Sequence, residues 1–102
     1  MRAGEGWLRA NVPAAPAALL EAMVEALPER AASDADALAE GALALYGAVA
    51  RGSGGREDAL PLLAADALLT HAFHAQAESG PSGLSELAAR VGARGRLPEV
   101  LP

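Results

Sequence analysis

Cysteine is absent from this chain of 102 residues, which rules out a disulfide framework and a thiolate metal site. Lysine and isoleucine are absent too, and Trp7, Phe73 and Tyr46 are the only aromatic residues of the Trp, Phe and Tyr types. Valine and threonine are sparse, and no short window alternates β-branched with polar residues. Strand formers are therefore too few to build a sheet. No apolar stretch reaches the roughly 18–20 residues that cross a bilayer, and residues 1–11 lack the apolar centre of a secretory signal. These absences lead us to expect a cytoplasmic protein without a membrane span.

What is abundant is alanine, followed by leucine, the residues that head the helix-propensity ranking. The length fits one domain. An alanine-rich core lets helices approach closely but buries little area per residue, so a partner chain would help to stabilise it. The net charge is −5, with eight arginines spread along the chain. This balance argues against non-specific nucleic-acid binding. Arg90, Arg94 and Arg96 cluster near the end, where positive charge complements a helix C-terminus.

The pattern predicts a small antiparallel four-helix bundle, all-α, with helices near residues 14–27, 34–51, 57–79 and 83–91. An irregular N-terminal arm, residues 1–12, precedes the helical domain of residues 13–96, and residues 97–102 form an apolar tail. Trp7 and Leu8 are the arm's anchors. In the first helix Leu19, Leu20, Met23, Val24 and Leu27 share one face, and Pro28 ends it. Ser33, followed three residues later by Asp36, has the spacing of a capping box. Leu38, Ala42, Leu45 and Val49 then form a stripe beside a small-residue ridge of Gly41, Ala44 and Ala48.

The third helix is apolar on two sides, Leu60, Leu63, Ala64 and Ala67 on one and Leu62, Leu69 and Phe73 on the other. Such a helix is central or shared with a second chain. Ser82 caps the fourth helix, which carries Leu84, Leu87, Ala88 and Val91 and ends at Gly92.

Residues 62–73 read Leu-Leu-Ala-Ala-Asp-Ala-Leu-Leu-Thr-His-Ala-Phe, and residues 84–95 read Leu-Ser-Glu-Leu-Ala-Ala-Arg-Val-Gly-Ala-Arg-Gly. The first segment resembles the helix of trans-isoprenyl diphosphate synthases in which Gly-Asp-Ala-Leu-Leu-Thr-x-Ala-Phe is common, with Asp66 matching the aspartate and Ala65 replacing the glycine. The second is similar to the family's next helix and its Gly-x-x-Gly turn. The likeness spans about residues 56–97. The family's two Asp-Asp-x-x-Asp motifs, which bind magnesium and diphosphate, are missing here. The resemblance therefore implies a non-catalytic relative that dimerises through helices, or an accessory that holds a prenyl chain.

Candidate sites are few. His71, His74 and Glu78 share one helix face, a spacing open to a metal shared across a dimer. The same placement lets Glu78 favour the charged form of His74 and make nearby contacts pH-sensitive. Serines occupy cap and turn positions, none in a nucleophile elbow. The segment Gly52-Ser53-Gly54-Gly55 lacks the phosphate-loop pattern and reads as a flexible link. No catalytic constellation and no cofactor motif is present, so a non-enzymatic module is expected. Its interface is expected at Gly41, Ala44, Leu62, Leu69 and Phe73, against a second copy or another helical protein. The alternatives are a site for an apolar ligand and the dimeric metal site.

Overall fold

The computed structural model describes residues 1–95, all of them helical or in short connections. The apolar tail and Arg96 lie outside the described residues, as does the side chain of Arg94. Five α-helices follow in order: α1 Glu5–Asn11, α2 Ala17–Ala26, α3 Asp34–Ala50, α4 Ala59–Ser79 and α5 Leu84–Gly95. No strand occurs among the described residues, and none of the helices there is long and apolar enough to cross a membrane.

The expected irregular arm is instead helix α1. Gly4 opens it in the left-handed region at φ 82°, a conformation that costs glycine little. Glu5 then accepts from the backbone N–H of Arg2 at 3.1 Å and from Arg9 at 2.9 Å, the latter one turn along the helix. Two of its residues pack inward, Leu8 fully and Trp7 in part. The start of the chain also closes α2. Arg2 donates to the carbonyls of Glu25 and Leu27 at 2.9 and 2.8 Å, the orphaned acceptors at a helix C-terminus. Leu27 is extended, as a residue before proline prefers.

Ser33 caps α3 by accepting from the backbone N–H of Asp36 at 3.1 Å. The reciprocal half of a capping box is replaced: the Asp36 carboxylate accepts from Arg90 of α5 at 2.7 Å. Helix α5 also runs four residues past residue 91, its expected last residue, because Gly92 keeps a negative φ. Glycine inside a helix is a modest cost and not by itself a stop.

Helix α4 lies in the middle, packed most extensively on α3 and also on α2 and α5. The start of α3 borders the end of α4, since Ser33 and Asp34 share a groove with Glu78 and Ser79; the two helices are antiparallel. The core is short on large side chains. Leu8, Met23, Leu27, Leu38, Leu68 and Leu87 are its large fully buried members, and eight alanines fill most of the rest. No polar or charged residue is buried among the described ones.

The buried face of α4 differs from the expected stripes. It is the line Ala64, Ala65, Leu68, Ala72 and Ala75, while Leu60, Leu62 and Leu63 stay largely outside. Small residues face the core because α3 approaches closely. A Cβ added to Gly41 would stand 3.1 Å from a Leu68 methyl and 3.3 Å from the Ala26 carbonyl oxygen.

Candidate functional site

Three places on the molecule hold side chains that the core does not explain. The first is where α1 crosses the C-terminal half of α4. The Trp7 ring sits 6.0 Å from His71 and 6.1 Å from His74, centroid to centroid, and the two imidazoles stack at 6.3 Å. Trp7 Nε1 donates to Glu78 at 3.3 Å, and His74 Nε2 lies 3.8 Å from the same carboxylate. His71 is half-buried, and its Nδ1 is buried with no hydrogen-bond partner. Burial, then the neighbouring His74, holds its pKa below the ordinary histidine value.

Within one chain these residues do not complete a metal site. Among the described residues, no three His, Asp or Glu side chains are placed to hold an ion. The indole lies beside both rings, and the buried His71 Nδ1 has no hydrogen-bond partner. His71, His74 and Glu78 form an aromatic and polar cluster with Trp7. Trp7 is the member that helical spacing on α4 could not reveal, because it comes from a separate helix.

The second place is the N-terminal half of α4. Leu60, Leu62 and Leu63 are 41, 41 and 55% exposed. Leu62, Asp66, Leu69 and Phe73 follow at helical spacing along one flank, with Leu69 and Phe73 half-buried against the core. The Asp66 carboxylate accepts a short hydrogen bond from the Tyr46 hydroxyl of α3. Partial burial and this carboxylate push the Tyr46 pKa up to about 12.

The five expected interface residues are thus not one surface. Gly41 is buried within the chain between Leu68, Leu27 and the Ala26 carbonyl, so a partner cannot reach it. The close approach that its small size signals is made by α2 and α4. Ala44 continues that ridge and is exposed, whereas Leu62, Leu69 and Phe73 belong to the flank with Asp66.

The third place is an open groove of about 480 Å³ between α3 and α5. Ala39, Leu43, Leu87 and Val91 line it, and the Arg90–Asp36 ion pair stands at its edge.

The glycine link is closed on itself. Gly54 N–H donates to Asp58 at 2.8 Å, Gly55 N–H donates to Ser53 at 3.2 Å, and Ser53 donates to Glu57. The Glu57 and Asp58 carboxylates and the Ser53 hydroxyl take these donors, and the Ser53 hydroxyl lowers the pKa of Glu57. This turn therefore presents negative charge where an anion would need donors. Among the candidate serines, Ser33 is committed to its cap.

No protein-family model, curated protein or solved structure matches this chain.

Proposed function

We propose that this chain is a non-enzymatic interaction module, an antiparallel helical bundle that pairs with a second copy of itself through the outer face of α4. The observation that carries this reading is the bare leucine segment Leu60, Leu62 and Leu63. Asp66 is the only Asp, Glu, Lys or Arg from Ala59 to Phe73, and its carboxylate is held by Tyr46. Two copies at net charge −5 repel each other, so they meet most easily where neither presents free charge.

The face is small. At ~1.5 Å per residue and ~10 Å of width, one face of α4 offers on the order of 300 Å². A stable interface takes about 800 Å² per partner. The pairing is therefore expected to be weak, with dissociation in the micromolar range. Light scattering coupled to size exclusion across a concentration series tests it. Mass should rise toward a dimer with concentration, and Leu62→Glu combined with Leu63→Glu should hold the chain monomeric. A wild-type mass that stays at one chain throughout refutes the pairing.

The groove between α3 and α5 favours a second reading, an accessory site for a prenyl chain or another apolar ligand. Its volume falls within the range of small-molecule pockets, and its α5 wall is the segment that resembles isoprenyl diphosphate synthases. Titration with farnesol tests this reading. Saturable binding weakened by Val91→Glu supports it, and no binding removes it.

A further inference from the structure

Helix α1 is fastened to the rest of the molecule at two ends of different chemistry. At its start, Arg2 holds the last carbonyls of α2, and Ala3 N–H donates to the Pro28 carbonyl at 3.0 Å. None of these groups changes charge near neutral pH. Further along, Leu8 enters the core and Trp7 rests on His71 and His74. This second fastening contains the chain's only two histidines.

We infer that the contact of α1 with α4 is a proton-operated latch: Trp7 closes on neutral His71 and His74, and charging the pair releases it while Arg2 keeps the start of α1 tethered.

The geometry sets the direction. Protonating His71 puts a donor and a positive charge on a nitrogen that is buried and has no acceptor. Charging both rings also places like charges on stacked imidazoles 6.3 Å apart. Two effects oppose release. Glu78 attracts a charged His74, and an indole face attracts cations. Both act mainly on His74, whose side chain is 59% exposed. His71 therefore decides the outcome, because its Nδ1 is buried and unpartnered while His74 is exposed. The remaining charged groups do not relieve it. Asp34 of α3 borders the groove that Trp7 shares with Glu78, and on α1 Glu5 and Arg9 pair with each other at 2.9 Å.

The sign follows from linkage. A histidine whose folded pKa is depressed binds fewer protons than the unlatched form below about pH 6.5. The latch is at full strength above that value and weakens as pH falls toward the folded pKa.

Trp7 is the only tryptophan, so its emission reports the latch directly. The experiment follows the wavelength of Trp7 emission and amide deuterium exchange in residues 5–11 from about pH 8 to about pH 5. The expected result is a red shift and several-fold faster exchange in α1, with a midpoint below about 6.5, while exchange in α3 and α4 holds. His71→Phe should abolish the transition. His74→Gln should keep it and move its midpoint to higher pH, since a like-charged neighbour is gone. Emission and exchange that stay flat, or a transition unchanged in His71→Phe, overturn the inference. Should His71→Phe fail to fold, NMR titration of wild-type His71 decides. An imidazole that titrates below the ordinary value together with the α1 transition supports the latch, and one that titrates at or above it overturns the latch.

Discussion

The two halves of α4 are built from similar residues and end in opposite situations. The C-terminal half is covered: α1 lays Trp7 over His71 and His74, and α5 packs nearby through Leu87. The N-terminal half, with more leucine, is left with Leu60, Leu62 and Leu63 in water. Hydrophobicity along the helix therefore does not decide what is covered. Helix α1 lies toward the histidine end, while α2 borders one side of the leucine end beside Leu60 and Pro61. The inner side of that half is packed, with Ala64, Ala65 and Leu68 buried, and its outer leucines are the face proposed for a second copy.

The sharpest way to break this comparison is to cut one buried and one exposed leucine of α4. Leu68 is fully buried at the centre of α4, whereas Leu62 is 41% exposed. Leu68→Ala should cost ~2–5 kcal/mol, because the alanines around it cannot collapse to fill the space. Leu62→Ala should cost less than about 1 kcal/mol at concentrations where the chain is monomeric. Urea unfolding of both variants at low protein concentration measures the difference. Equal losses would mean that Leu62 is as well packed as Leu68 and that no bare half exists.

A second substitution tests the covered half alone. Gly4 has φ 82°, and a Cβ there would stand 3.0 Å from that of Ala37. Gly4→Ala should cost ~1–2 kcal/mol from the backbone alone. The loss should fall on α1, seen as red-shifted Trp7 emission already at neutral pH. Self-association through the leucine segment should persist. Loss of both would tie the two halves together.

The division between covered and bare was only partly legible in the sequence. The four longer helices and their order could be read, because proline and glycine punctuate a strongly helical composition. Ser33 at its cap and Pro28 at its stop act through neighbouring backbone, so local pattern sufficed. The buried line of α4 could not be read, since alanine scores as weakly apolar beside leucine. In a crowded interior the small residue goes inward, as Gly41 and Ala64 do, and leucines are displaced to the rim. The histidine cluster was half legible. The i and i+3 spacing placed His71 and His74 together, but Trp7 arrives from α1, more than sixty residues away in the chain. Its helix was hidden by two glycines, one of which is the left-handed cap that starts it.

The smallest expected effect lies at the boundary between the halves. Tyr46 donates to Asp66, the one carboxylate along the leucine segment. Tyr46→Phe removes that donor, and because Asp66 is exposed it regains water; the net cost should be about 0.5 kcal/mol, at the low end for a hydrogen bond. Its pH dependence reports the burial of the phenol first and the Asp66 carboxylate second. The folded phenol has its pKa pushed up to about 12, against an ordinary value near 10. Above about pH 10 the unfolded chain releases this proton while the folded chain retains it, so the stability it contributes is lost as pH rises toward 12. Wild type should therefore exceed Tyr46→Phe at neutral pH and fall below it in strong alkali, where its partly buried phenol must ionise. Tyr46 is the only tyrosine, so ultraviolet absorbance follows its ionisation without ambiguity. An ordinary titration near pH 10 would mean that Asp66 stands free on the leucine flank. A second copy would then have to bury that charge, and the bare half of α4 would be a poorer surface for pairing than its leucines suggest.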